Sequence, residues 1–467
     1  MIPTVFARTP ARPRLFRHVA LIALLVTASS GTNAAEEFAG SAKLVDVFLS
    51  ALERNPTYLA ELSAVRAVDR LERVAEGQLL PQVGLGASYD YGKERVRGDY
   101  YAVENVDSSD TYGQGVFGVK LTQSVYRPDL WISRDQAELK TSLARFELEQ
   151  AEDNLLLEVV AAYLGVLSAQ DVEGLTRAEL EAVERQSSQV RGRGQAGLAL
   201  ESDVLAADAH RSTAAAELIA VKGKLEAAYA ALDLVAGQPF RNLRALPEGM
   251  VVTHPQPAYA QAWAEKAREQ NLAVIRARLN TRIAALEAEK TRATRMPKVQ
   301  VVGSAGYLDL SGGISGERSE RDARIGVDLS VPIYAGGSIE AGIEAADATA
   351  QRAESLLQAA RAKAEHDARV AYTAMVSSYS RVPAQREAVM AARAAEASVE
   401  GGFDAGTRTS ADVLRAVEER YDAEKAYSAA RYGHMIDGLR LKLAAGILVN
   451  SDLHQLDRLL RASPEQP

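Results

Sequence analysis

Four stretches of the chain alternate apolar and polar residues with period two, the mark of a strand whose faces meet different surroundings. In the first, Val83, Leu85, Ala87, Tyr89 and Tyr91 fall on one side, opposite Gly84, Gly86, Ser88 and Asp90. In the second, Phe117, Val119, Leu121 and Val125 oppose Gly118, Lys120, Thr122 and Ser124. The third groups Val299, Val301, Ala305 and Tyr307, with a less polar opposite side. The fourth sets Ala323, Ile325, Val327, Leu329, Val331 and Ile333 against Asp322, Arg324, Gly326, Asp328 and Ser330. These patterns predict strands over 82–97, 112–126, 298–310 and 322–334. Each reaches the roughly 9–11 residues with which a tilted strand crosses a bilayer. A soluble sheet with one wet face gives the same alternation, so context has to decide.

Around these strands the pattern is helical. From Pro128 to residue 190 strong helix formers dominate, as in "LARFELEQAEDNLLLEVVAAYLGVLSAQ". A second such stretch covers 337–400, interrupted by Pro383. Some 60 residues at 1.5 Å each extend roughly 90 Å, the length of a coiled coil or helical tube rather than of a globular helix. Further helices are predicted near Leu44–Leu79, over 198–236 and over 408–446, where they can stack against the long ones.

The plan occurs twice. Asn55, Pro81 and Tyr91 recur as Asn271, Pro297 and Tyr307, all at an offset of 216 residues. "GVKLTQSVY" from Gly118 recurs as "GVDLSVPIY" from Gly326, and "AGLALESDVL" from Ala196 as "AGTRTSADVL" from Ala405. Each copy therefore reads helix, strand, loop, strand, long helix, turn, helix. The duplication also disposes of a decoy. Gly192, Gly194 and Gly197 stand at G-x-G-x-x-G spacing with Glu217 about 20 residues on, as in a dinucleotide site. In the second copy Gly194 falls on Phe403, so the three-glycine spacing is not repeated, and a helix rather than a strand precedes the glycines. They mark a chain reversal.

The N-terminus supplies the context. Arg8, Arg12, Arg14 and Arg17 precede the apolar run Val19–Ala28, and small residues follow through Ala34 and Ala35. That order is an export signal, expected over residues 1–35. The run is shorter than the roughly 20 residues of a membrane helix, and no later stretch reads as one. Export without a helical anchor leaves a periplasmic, secreted or outer-membrane β protein. The charged segment Lys93–Thr111 then reads as a long extracellular loop. Four strands cannot close a membrane barrel, since single-chain barrels begin near eight strands and an open edge in lipid costs several kcal/mol per unpaired group. A membrane reading therefore demands an oligomer, and periodicity does not choose between a dimer and a trimer.

Composition narrows the chemistry. A net charge of −8 speaks against a general nucleic-acid binder. The absence of cysteine removes disulfides, thiolate metal sites and cysteine nucleophiles. The six histidines, His18, His210, His254, His366, His434 and His454, form no ligand spacing such as H-E-x-x-H. No phosphate loop or nucleophile elbow stands before a helix. The expectation is no enzyme and no cofactor. The alternative to a membrane duct is an exported structural or adhesive coiled-coil protein without channel activity.

"LLPQVGLGASYDY", "LTQSVY", "VPIYAGGSIEAGIEAADA", "GFDAGTRTSADVL" and the tail "ARYGHMIDGLRLKLAAGILVNSDLHQL", with the duplicated plan, resemble the TolC family of outer-membrane exit ducts. The resemblance runs from about Ala42 to Leu456. It implies a homotrimer: a mixed α and β membrane protein with one 12-stranded barrel, four strands per chain, continued by a long periplasmic α-helical barrel. It also implies a periplasmic adaptor protein and an inner-membrane ABC or proton-driven transporter as partners. The division would be signal 1–35, first repeat 36–250, second repeat 251–456 and tail 457–467. In this family the tunnel narrows at the periplasmic helix–turn–helix tips. The matching positions are Asp203, Phe403, Arg408, Asp412 and Arg415, with Gly197, Leu198, Ser202, Gly406 and Thr407 at the adaptor-facing tips. The spacing of Arg408, Asp412 and Arg415 allows one shared helix face; alternatively, Arg408 pairs with Asp203. The family's archetypal efflux duct has a second acid where this chain has Arg415, and a tyrosine where it has Phe403.

Overall fold

The computed structural model describes residues 42–460 except 101–102, 248–251 and 315. The expected export signal and most of the expected tail lie outside the described residues. Thirteen elements follow one another within them. They are α1 (Leu44–Arg54), α2 (Pro56–Gly77), β1 (Gln82–Tyr100), β2 (Val103–Tyr126), α3 (Pro128–Gln195) and α4 (Glu201–Ala236). Then come α5 (Ala260–Gln270), α6 (Leu272–Ala293), β3 (Lys298–Gly312), β4 (Arg318–Ser330), α7 (Ser338–Asp404), α8 (Ser410–Ala445) and α9 (Asn450–Leu459).

The strands form one antiparallel sheet in the order β1-β2-β3-β4. Its register puts the four alternating apolar series on one face: Leu85 lies across from Val119, Val119 from Ala305, and Ala305 from Ala323, while Val116, Val302, Leu308 and Leu310 lie on the other. The first face is open, with Val83, Leu85, Tyr89, Tyr91, Ile325 and Leu329 each at least 66% exposed. The opposite face carries Asp90, Lys120, Thr122, Ser304 and Asp328. Among the described residues, strands β1 and β4 each have one unpaired edge.

Several boundaries differ from those the sequence pattern predicts. Lys93–Thr111 is not a loop: β1 and β2 stay paired, from Gln82 opposite Thr122 to Tyr100 opposite Val103, across an irregularity at Gly98. Alternation persists there with charged residues in place of apolar ones, which hides the strand from a hydrophobic reading. Strand β4 covers 318–330 rather than 322–334; Pro332 has no N–H to continue the ladder. The helix predicted over 44–79 is two helices. Asn55 adopts an extended conformation, and its side chain accepts from the N–H groups of Thr57 and Tyr58 at 3.0 and 3.2 Å, with Pro56 opening α2. Pro383 does not interrupt α7, which runs unbroken through it. A last helix, α9, runs across position 456 to Leu459 and buries Leu453 and Leu456. One window of α3 is long and apolar enough to span a membrane, contrary to the sequence expectation. Its Leu155, Leu156, Val159, Val160, Tyr163 and Leu164 are instead the buried centre of the main core. Around them pack α1, α4, α9 and, from the second repeat, Tyr432, Met435 and Leu439 of α8.

The duplication is physical as well as textual. Asn55 caps α2 and donates to Val235 O at 3.2 Å; Asn271 caps α6 and donates to Ala444 O at 2.9 Å. Each return helix ends on a left-handed glycine, Gly237 (φ 73°) and Gly446 (φ 71°). A methyl group on Gly446 would lie 2.3 Å from Gln270 O, and one on Gly237 would lie 2.6 Å from Arg54 Cβ. The same joint is thus built once in each repeat.

In the first half of α3, burial pushes the Asp153 carboxyl up to about 7, with the neighbouring charges of Glu149 and Glu152 adding to the effect. The folded chain therefore holds a proton there that the unfolded chain releases near 4. Between those two values stability falls as pH rises. Thermal unfolding of the Asp153→Asn variant should exceed wild type above pH 7, with the difference vanishing below about pH 4. An equal difference at both ends would contradict the assignment.

Candidate functional site

The helices end, far from the sheet, in two tip turns of the same design. In the first, Gly197 (φ 72°) follows α3; Leu198 N–H donates to Arg193 O at 2.8 Å and Gly197 N–H to Gly194 O at 3.0 Å. In the second, Gly406 (φ 75°) follows α7; Thr407 N–H donates to Gly402 O at 2.8 Å and Gly406 N–H to Phe403 O at 3.0 Å. This paired bonding satisfies the last carbonyls of each helix and turns the chain back. Gly192 and Gly194 lie inside α3, so no strand leads into them.

The tips differ in surface chemistry. The first exposes Leu198, Leu200 and Leu205 at 75%, 70% and 64%. Ser202 and Asp203 occupy the first turn of α4, whose N-cap Leu200 offers no side-chain acceptor. The second is polar and doubly capped. Thr409 N–H and the Thr409 hydroxyl donate to Asp412 Oδ2 at 3.0 and 2.8 Å, and Asp412 N–H donates to Thr409 Oγ1 at 3.2 Å. These contacts, the backbone N–H first, hold the Asp412 carboxyl below its ordinary 3.8, with smaller help from the charges of Arg408 and Arg415.

Three placements revise the sequence expectation. Arg408 precedes the N-cap, so it lies in the turn and not on a face of α8 shared with Asp412 and Arg415. Its stem lies against Gly402. No ion pair within 4.0 Å joins Asp203 or Asp412 to Arg408 or Arg415 among the described residues. Phe403 is buried within the chain with Val183, Val190, Ala207, Val413, Leu414, Val417 and Tyr421, under the Arg193 guanidinium at 4.5 Å.

The sequence did not reveal how the two hairpins are tied. Helix α8 of the second repeat rests on α3 of the first through Lys425 Nζ to Glu179 at 2.7 Å and through Ser428 and Tyr432 to Asp171 at 2.7 and 2.9 Å. His210 of α4 meets Glu418 of α8 at 2.7 Å. The partners stand about 200 residues or more apart, and only a known superposition of the repeats would have paired them. His434 is packed against Ser378 Oγ at 3.1 Å, and burial lowers its pKa. Among the described residues no three His, Cys, Asp or Glu side chains converge as a metal requires.

The Asp412 bond network yields a pH prediction. A depressed carboxylate contributes stability that is present above its unfolded pKa and lost as pH falls through the folded one. Hydrogen-exchange protection in the first turn of α8 should hold from neutral pH to about 4 and collapse below it. Thr409→Val should lower that protection throughout, by about 1 kcal/mol. Unchanged exchange in this variant would contradict the cap.

The family described as Outer membrane efflux protein matches residues 48–238 and 263–447. Outer membrane protein TolC of Vibrio cholerae is 30% identical over 447 residues, covering 95% of this chain and 99% of that protein. Outer membrane protein TolC of Escherichia coli is 28% identical, covering 94% and 88%. The crystal structure of the Campylobacter jejuni CmeC outer membrane channel superimposes with a TM-score of 0.75 over 94% of this chain and 98% of that one, at 13% identity. With a bilayer-length apolar sheet face, paired helical hairpins and a family match over both repeats, the chain belongs to the outer membrane efflux protein family.

Proposed function

We propose that three copies of this chain close one barrel in the outer membrane and one helical tunnel in the periplasm. Together they form the passive exit duct of a tripartite export system for small molecules or type I secreted proteins. The observation that carries this reading is a four-stranded sheet with two open edges and an apolar outer face, continued by helices of 68 and 67 residues. Such helices extend about 100 Å. The family's members are channels rather than enzymes, and the adhesive-rod alternative has no support in that family.

In this reading an inner-membrane ABC or proton-driven transporter supplies the driving force, and a periplasmic adaptor docks at the tips. Gly197, Leu198 and Ser202 would meet the adaptor in the first repeat, and Gly406 and Thr407 in the second. The exposed leucines of the first tip suit an apolar contact with the adaptor, and Asp412 and Arg415, in the first turns of α8, suit the pore side. Asp412, repeated by threefold symmetry, would form an acidic ring flanked by rings of Arg408 and Arg415, with Asp203 nearby. Rings of one charge sign select against ions of that sign. The arginines offset the acid, so this duct should bind cations at its mouth less tightly than one with two acidic rings.

Purified protein in planar bilayers tests the duct. The expected outcome is steady conductance from a species whose native mass is three chains; a stably folded monomer without conductance would overturn the proposal. Arg415→Asp should then strengthen block by hexamminecobalt by roughly tenfold or more, as expected where an acidic ring gains a second layer. Tight block in wild type, unaltered by the substitution, would overturn the offset of the Asp412 ring by Arg415.

A further inference from the structure

We propose that the outward face of the β1–β2 hairpin, where it leaves the apolar band, is a binding site for the phosphate groups of an anionic lipid in the outer leaflet. The proposal rests on the membrane orientation just argued: the helices mark the periplasmic end of the sheet, so the hairpin turns mark the cell exterior.

The register supplies the geometry. Val83, Leu85, Ala87, Tyr89 and Tyr91 point outward along β1, and the next three outward positions are Lys93, Arg95 and Arg97. All three are exposed, while the intervening Gly92, Glu94 and Val96 are half-buried on the inner face. Alternate residues of a strand are spaced about 7 Å apart. The basic ladder thus begins one step above the tyrosines, at the depth where lipid headgroups follow hydrocarbon.

The charges are sorted by face, which an ordinary solvated turn does not require. Asp90, Glu94 and Asp110 occupy the inner face of the same hairpin, with Asp90 opposite Gln114 and Glu94 opposite Asp110. Glu94 is occupied there, accepting from Ile314 N–H at 2.7 Å. On the outer face Asp107 meets both arginines, Arg95 at 3.0 Å and Arg97 at 3.4 Å. Both guanidinium side chains remain 59% and 70% exposed despite that contact. Asp107 engages Arg95 through both Nε and Nη2, at 3.1 and 3.0 Å, and so competes for that fork while Lys93 and most of Arg97 stay open. Asp99, beyond the irregularity at Gly98, accepts from Asn105 N–H at 3.0 Å.

The other edge of the sheet adds one outward arginine, although its inner face carries Arg318 and Arg324 paired with Glu320 and Asp322. Arg321 takes the outward position of β4 opposite Tyr307, its guanidinium 5.7 Å from the ring centroid. The outward acid beside them, Asp309, accepts from the Tyr307 hydroxyl at 3.3 Å. Closing the barrel brings β4 of one copy beside β1 of the next, so Arg321 borders the same seam. Exposed guanidinium forks beside an apolar, tyrosine-edged surface match a ligand with phosphates above acyl chains. A soluble anion would gain the charge contacts without the apolar band.

The test uses the purified trimer and three probes: lipid A with its phosphates, lipid A stripped of them, and sodium phosphate. Native mass spectrometry should show phosphorylated lipid A retained by wild type, with affinity reduced roughly tenfold or more in a Lys93→Gln, Arg95→Gln, Arg97→Gln variant, as for loss of several charge-assisted bonds. Asp107→Asn should tighten binding by releasing both forks. Equal retention by wild type and the triple variant, or equal binding of dephosphorylated lipid A, would overturn the proposal. Displacement of lipid A by millimolar sodium phosphate would assign the site to a soluble anion and overturn the lipid. Conductance and trimer mass of the triple variant separate the two readings: if both persist while lipid binding behaves otherwise than expected, only this inference fails.

Discussion

Backbone hydrogen bonds that one chain cannot make for itself govern the molecule. A sheet of four strands leaves the outer edges of β1 and β4 unpaired. In water those edges would be solvated; in hydrocarbon each unpaired group costs several kcal/mol. The exposed apolar face rules out water as the medium for this sheet, since Leu85, Ile325, Val327 and Leu329 would lie open to it. Other copies must therefore complete the ladder. The helices make the same demand by another route. Helix α2 runs 22 residues against α3 without one buried side chain, leaving Leu71 and Val74 more than half exposed. Helix α4 leaves Ile219 and Leu234 about three-quarters exposed. A tunnel wall made of copies side by side accounts for all of these positions together.

Duplication sets how each copy is built, and its small failures set what the copy can do. The joint in which an asparagine caps one helix and reaches the end of another is repeated almost bond for bond at Asn55 and Asn271. The glycine that lets those helices approach is repeated at Gly237 and Gly446, where a side chain would strike the neighbouring helix. At the tips the backbone turn is repeated but the surface is not. The first repeat offers leucines and no side-chain cap, and the second offers Thr409 and Asp412 locked together. A symmetric scaffold thus carries two chemically different tips, one apolar and one polar.

Much of the scaffold was legible because it follows simple periods. Period-two alternation located all four strands, and the constant offset between Asn55 and Asn271 exposed the duplication. Boundaries failed where another signal replaced hydrophobicity. The outer half of the β1–β2 hairpin alternates in charge rather than in apolarity, so it read as a loop. The break at Asn55–Pro56 carried a visible signature, an N-cap followed by proline, but the helical pattern on both sides concealed it. At the tips, spacing put Arg408 and Asp412 four residues apart without disclosing that Thr409 ends the turn between them. The contacts of α8 on α3 join residues about 250 apart and have no local signature. The duct itself was inferred from resemblance, because nothing in alternation or helix length specifies export.

Magnitudes decide what holds the tips within a chain. An exposed ion pair contributes about 0–1 kcal/mol, and no such pair links Arg408 to Asp203 or Asp412 among the described residues. Burying a Val, Leu or Phe side chain contributes about 1.5–3 kcal/mol. Val183 and Val190 of α3, Ala207 of α4, Phe403 of α7, and Val413, Leu414 and Val417 of α8 are buried in one cluster just above the turns. Separating the two hairpins of one copy would expose that cluster at several times the cost of any surface ion pair. The tip of each chain is therefore a stiff unit, and Asp412, bound to its own helix cap, is not a latch between hairpins. If three copies assemble as proposed, relative motion would cost less between whole tips of neighbouring copies than within one tip. The exposed apolar residues of α2 and α4, among them Leu71, Val74, Ile219 and Leu234, would then be the positions available to such seams.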